Sequence, residues 1–267
     1  MKLSGLWAKL VWRNKLLAYS GLCYVALFAA LAIVAAFDST QILGVNRWIK
    51  PMKFAISIAI FQWTIGWLMA HLKGKEKNVR LISWGIVITM VAEIIPIAGQ
   101  AARGALSHFN QSSAFGIAVF AFMGLMIVIN TILVVYALIL FFTSPADIPK
   151  SYLWGIRFGL IVFILGCVEG GIMSVMLRHT VGAPDGGPGL PFTNWSTQAG
   201  DLRVAHAVAL HALQAIPFAG FIFYWLSNRR GAVLPVAMTF VYAAFHLALA
   251  TWLFAQAMNG RPLISMD

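Results

Sequence analysis

The sequence predicts an all-α protein, a polytopic transmembrane bundle of about seven spanning helices. Three observations predict it. Residues are 61% hydrophobic and only 10% charged, whereas a soluble domain carries about a quarter charged residues. Apolar runs of about 20 residues, the length that crosses a bilayer, recur along the whole chain. Lys and Arg concentrate in the short connectors between those runs, where they orient helices. That placement accounts for the net charge of +11 without a nucleic-acid partner, and the expected partner is the lipid bilayer.

Residues 1–15 are basic and carry Leu3, Leu6, Trp7, Leu10 and Val11 at helical spacing. They predict an amphipathic helix lying on the membrane surface. Residues 16–267 then form a single domain of seven spans, at 16–37, 51–72, 81–100, 113–142, 152–177, 202–226 and 234–257. The first span exceeds the roughly 7–15 apolar residues of a signal peptide and is read as a helix that stays in the membrane. Pro51 and Pro235 stand at or near helix starts, where a missing N–H costs nothing. Pro96 and Pro217 lie inside the third and sixth spans, and each frees a carbonyl that protein or water must satisfy. The fourth span is over-long and must tilt or project past the lipid. Cys23 and Cys167 fall in different apolar runs and imply neither a disulfide framework nor a metal motif. The longest connector, 179–200, contains Ala183-Pro184-Asp185-Gly186-Gly187-Pro188-Gly189 and reads as a turn-rich loop or a lid.

Basic residues set the orientation. With the N-terminus inside, the lysine-rich connector Lys73, Lys75, Lys77 and Arg80 lies on the inner face, as does the larger share of Lys and Arg. The C-terminus is then outside, in the periplasm.

Ionisable groups inside apolar spans are expensive in hydrocarbon and mark a site by default. Glu93 lies on the third span, Glu169 on the fifth, His206 and His211 on the sixth, and His246 on the seventh. With alternating directions all five fall in the outer half of the bilayer, within a depth range of roughly 10 Å. That convergence predicts one polar pocket with Glu93, Glu169 and His206 as its acid–base groups. At about 100° per residue, Arg203, His206, His211 and Gln214 share one broad face of the sixth span. Asp201 precedes that face and suits the N-cap. Gln100, Arg103, Asp201, Arg203 and Gln214 are the candidates for ligand contacts or a proton relay. Glu93, Gln100 and Arg103 repeat the offsets of Glu169, Met176 and His179, which hints at a duplication of spans three–four and five–six. Gln62, Thr64, Asn130 and Thr131 read as hydrogen-bonding glue between helices.

The strings N-R-W-I-K-P-M-K-F at Asn46–Phe54, Q-A-A-R-G at Gln100–Gly104, S-H-F-N at Ser107–Asn110, and G-D-L-R at Gly200–Arg203 with His206 and His211 resemble a family of uncharacterised bacterial multi-pass membrane proteins. The resemblance implies a bacterial inner (plasma) membrane location and no particular activity. Likeness to the seven-helix zinc hydrolases of the alkaline ceramidase and adiponectin receptor type is architectural only. Those carry H-x-x-x-H on one helix, whereas His206 and His211 are spaced H-x-x-x-x-H. The seventh span holds no lysine for a retinal Schiff base.

Three functions fit these residues. The first choice is a membrane redox protein or enzyme, in which His211 and His246 would face each other across haem b, or His206, His211 and His246 with a glutamate would hold zinc or iron. A proton-coupled transporter of a small solute would use the buried Glu and His groups as its relay, with Arg103, Arg178 and Arg203 favouring an anionic solute. A structural subunit of a larger membrane complex would merely pair its buried charges.

Overall fold

The computed structural model describes residues 3–227 and 233–266. Lys2, Arg229 and Arg230, which enter the orientation argument, lie outside the described residues. Among the described residues there are eight helices: α1 (Leu3–Arg13), α2 (Lys15–Phe37), α3 (Ile49–Met69), α4 (Glu76–Ala102), α5 (Ala114–Thr143), α6 (Lys150–Met176), α7 (Leu202–Leu226) and α8 (Val233–Met258). The helices α2 to α8 are long and apolar enough to cross a membrane. The chain therefore has the architecture of a multi-pass protein of the lipid bilayer. Two antiparallel hairpins of two-residue strands, β1 (Gln41–Ile42) with β2 (Val45–Asn46) and β3 (Thr180–Val181) with β4 (Gly200–Asp201), are additions to the helical reading.

The chain divides into two compact units, Met1–Ala137 and Leu138–Asp267. In the first unit α2, α3 and α4 pack on one another, and α1 leans on α2 and α3. Asn14 caps α2 by accepting the Leu17 N–H at 3.1 Å, and its amide donates to Ser83 Oγ of α4 at 2.8 Å. Trp63 Nε1 of α3 donates to the Ala18 carbonyl of α2 at 3.0 Å. Gly21 makes room for that indole, since a Cβ there would lie 2.6 Å from Trp63 Cδ1. Between α2 and α3, Asp38 accepts from Arg47 Nε at 2.6 Å, Trp48 Nε1 at 2.8 Å and the Thr40 N–H at 2.9 Å. Those donors, Thr40 first, hold its carboxyl below the ordinary carboxylate range. Arg47 Nη1 also donates to the Ala102 carbonyl at 3.0 Å, tying the hairpin to the end of α4.

The apolar stripe of α1 is used partly within the protein. Leu10 is buried, and Trp7 meets Tyr19 and Trp63 edge-on. Trp12 is 84% exposed. Arg13 anchors the end of α1. Its guanidinium lies 4.0 Å above the Trp67 ring and donates to the Trp67 carbonyl at 3.0 Å and to His71 Nε2 at 3.1 Å. Arginine only donates, so His71 Nε2 accepts and the ring is neutral. Burial, then Arg13 and Lys73, push the imidazole down to about 4 from 6.5. A lowered histidine pKa favours the folded state above the unfolded value of 6.5, and that preference is lost as pH falls from 6.5 toward 4. The thermal midpoint of the wild type is therefore expected to fall more steeply over that window than that of His71→Gln, which keeps an acceptor for Arg13 but does not titrate. Parallel curves for the two proteins would remove this assignment.

In the second unit α6, α7 and α8 pack on one another. Small residues on α6 let α7 approach closely, as in other membrane helix pairs. A Cβ at Gly155 would lie 2.9 Å from the Ile216 carbonyl oxygen, one at Gly159 2.9 Å from Pro217 Cδ, and one at Gly166 2.9 Å from Ala209 Cβ. Gly220 of α7 returns the contact, since a Cβ there would lie 2.5 Å from the Ser151 carbonyl oxygen. The Pro217 irregularity in α7 thus sits against glycines, where backbone can crowd it.

Part of each unit, α2–α4 in the first and α6–α8 in the second, shares an order: helix, hairpin, helix, short connector, helix; the first unit also holds α1 and most of α5. This division differs from the duplication read in the sequence. Glu93 falls on the third spanning helix of its unit and Glu169 on the first of its own.

Candidate functional site

In the first unit the buried acid is Glu93 of α4, only 2% exposed, with Oε1 lacking any hydrogen-bond partner among the described residues. Lys50 of α3 is within electrostatic reach of it. Two groups absent from the predicted site share this condition. Gln62 of α3 is fully buried, and neither Oε1 nor Nε2 of its amide is hydrogen-bonded. Tyr24 of α2 is 5% exposed with its hydroxyl unpartnered. Gln62 is therefore not the interhelical glue its sequence context suggests. Asn130 is glue, with Oδ1 3.4 Å from Thr89 Oγ1 of α4. Thr64 and Thr131 instead return their hydroxyls to Ile60 and Ile127 on their own helices.

Gln100 and Arg103 finish α4. Gln100 Nε2 donates to the Leu106 carbonyl at 3.3 Å, and Arg103 Nη1 donates to Gln100 Oε1 at 3.2 Å. The Arg103 guanidinium also lies 4.5 Å from the Phe115 ring centre. Both side chains have local structural partners, and neither is in hydrogen-bond contact with Glu93.

In the second unit the acid is Glu169 of α6, partly buried, with Oε2 enclosed and unpartnered. His206 of α7 packs against the same stretch of α6, at Gly166 and Gly170. Its Nδ1 is 2.8 Å from the Gly166 carbonyl oxygen, so Nδ1 carries the proton and donates. The ring passes over Gly170, where an added Cβ would come within 3.1 Å of His206 Cε1. Glycines at 166 and 170 are thus what admit an imidazole between these helices. Their spacing is a sequence signal that depth counting alone overlooks.

The other two histidines go elsewhere. His246 Nε2 donates to the Val208 carbonyl at 2.9 Å, and Tyr242 packs against its ring. His211 is exposed on α7, with Nδ1 3.3 Å from Gln214 Oε1. The broad face expected to carry Arg203, His206, His211 and Gln214 is therefore divided: His206 addresses α6, while His211 and Gln214 pair with each other. Among the described residues no group of three or more His, Cys, Asp or Glu gathers as a metal site would require.

Asp201 and Arg203 form the N-terminal cap of α7. Asp201 Oδ1 accepts the Arg203 N–H at 3.0 Å, which makes it the N-cap, and Oδ2 accepts the Ser196 N–H at 2.8 Å. Arg203 closes on the same carboxylate through Nε at 2.9 Å and Nη2 at 2.6 Å, and also donates to the Asn194 carbonyl. Burial opposes ionisation of Asp201, but Arg203, the Ser196 N–H and His179 outweigh it and hold the carboxyl below its ordinary value. The long loop is tied down in the same region. Asp185 accepts the Thr180 N–H at 2.9 Å and pairs with His179 Nδ1 at 3.2 Å. A shallow cleft of about 440 Å³, lined by Leu177, Arg178 and residues 182–185, opens beside that turn.

Comparison of the chain with family models, curated proteins and solved structures finds no match. Its function is argued from its own residues.

Proposed function

We propose that the protein is a proton-coupled transporter of a small solute, with Glu93 and Glu169 as the groups that take up and release the proton. One observation carries the reading. On each of two spanning helices, α4 and α6, a carboxyl oxygen is enclosed without a hydrogen-bond partner among the described residues. An acid kept only for structure is expected to be paired, because an unpartnered buried polar group is costly. An acid that exchanges protons must keep an oxygen accessible to the next donor. His206, held against α6 through Nδ1, has its Nε2 left to act as acceptor. The order helix, hairpin, helix, helix that recurs in α2–α4 and in α6–α8 adds support, since transporters are frequently built from repeated helix bundles.

The basic connectors support an orientation with the N-terminus cytoplasmic, α1 at the inner interface and the C-terminus periplasmic, and the resemblance of the sequence strings supports a bacterial plasma membrane. Arg103 and Arg203 have local partners, which weakens the case for an anionic solute. The redox reading through haem or a zinc or iron ion has less support, because no group of three or more His, Cys, Asp or Glu gathers among the described residues and His211 is exposed.

Purified protein in liposomes loaded with a pH-sensitive dye tests the proposal. Under an imposed pH gradient these liposomes are expected to change internal pH faster than protein-free ones, and faster still with the co-transported solute outside. Equal rates with and without protein would contradict it.

A further inference from the structure

We propose that α2, α3 and α4 hold a short chain of ordered water between Tyr24, Gln62 and Glu93, through which protons reach Glu93. The inference deepens the transport reading and rests on it for its purpose, but the site stands on its own geometry. Four side-chain atoms in this unit are enclosed without partners: the Tyr24 hydroxyl, both amide atoms of Gln62, and Glu93 Oε1. They come from three mutually packed helices.

Their heights agree. The Asn14–Ser83 hydrogen bond fixes α2 against α4, and ten residues further along each helix stand Tyr24 and Glu93. Gln62 precedes Trp63, whose indole reaches Ala18 and packs at Gly21 of α2. That puts Gln62 within about one or two turns of Tyr24, since a turn rises about 5.4 Å.

The chemistry of the four atoms selects the ligand. The amide nitrogen only donates, the amide oxygen only accepts, and the phenol does both. A bare metal ion would satisfy the oxygens and strand the amide N–H. Water satisfies all of them, and buried water characteristically takes about three hydrogen bonds from otherwise unpaired buried groups. A chain of such water ending on a carboxyl is also a path for protons.

Hydroxyl-radical labelling by pulsed X-rays, applied to the detergent-solubilised protein, tests the site, because radicals formed from ordered internal water label the side chains beside it. Tyr24 and Met90, which is 5% exposed and three residues before Glu93, are expected to label on the first pulses. Met69, fully buried on the same α3 as Gln62, is expected to stay unlabelled. The substitution Gln62→Leu should then lower Tyr24 labelling severalfold, slow proton uptake by roughly tenfold and lower the thermal midpoint by stranding the remaining groups. If the region is dry, Tyr24 stays unlabelled, and Gln62→Leu raises the midpoint by removing an unpaired amide and leaves uptake unchanged. That pattern would overturn the inference while leaving the transport reading intact. Labelled Tyr24 in protein that moves no protons would uphold the water site and sink the transport reading instead.

Discussion

Glu93→Gln is expected to reduce proton uptake into liposomes by roughly a hundredfold, and Glu169→Gln to do the same, from the usual weight of a positioned proton-transfer group. Glutamine keeps the shape and polarity of the side chain but cannot carry the proton. Both positions tolerate the change structurally, because neither Glu93 Oε1 nor Glu169 Oε2 gives up a hydrogen bond to a described protein group, and a glutamine amide can still bond the water proposed at Glu93. The thermal midpoint should therefore hold or rise while uptake collapses. A structural acid behaves the other way, losing stability and leaving flux untouched. His206→Gln separates the two carboxyls. It should slow the step that runs through Glu169 on the same packed helix pair, α6 and α7, and spare water access at Glu93.

The second large effect is on stability. Gly200→Ala is expected to destabilise the protein by on the order of 3 kcal/mol or more, because overpacking against backbone has no cheap relief. A Cβ at Gly200 would lie 1.9 Å from the Ala257 carbonyl oxygen and 2.7 Å from its carbon. Both are main-chain atoms of α8, so no side chain can swing aside. The residue also precedes Asp201, and displacing it would pull the N-cap of α7 away from the Arg203 and Ser196 donors. The thermal midpoint should drop by roughly 6–12 °C. Gly187→Ala is the control, since nothing lies within 4 Å of the added carbon, and it should leave the midpoint unchanged. Equal midpoints for the two variants would mean that the β4–α8 contact is not as close as described.

The spanning helices were legible because length and hydropathy are properties of a segment by itself. Their ends were less so. The third span reads as starting at residue 81, but α4 begins at Glu76, because Lys77 and Arg80 can stay helical while their long side chains reach the interface. Asp201 was legible as an N-cap from its place before an apolar run. The site was legible only in part. Depth is a single coordinate, and it grouped His206, His211 and His246 without knowing where each helix faces. His206 turns to Gly166, His246 to Val208, and His211 stays exposed. Gln62 and Tyr24 were overlooked for a different reason. A lone amide or phenol in an apolar run looks like ordinary helix-to-helix bonding, and only coordinates reveal that its partners are missing.

The central claim is that Glu93 and Glu169 gain and lose protons during transport. Infrared difference spectroscopy of the protein in lipid, recorded across a pH jump that drives uptake, tests it most directly through the carboxylic C=O stretch. The account predicts two carboxyl bands that change with the jump, one absent from Glu93→Gln and the other from Glu169→Gln. A wild-type spectrum with no carboxyl change while protons cross, or bands that survive in both variants, would contradict it.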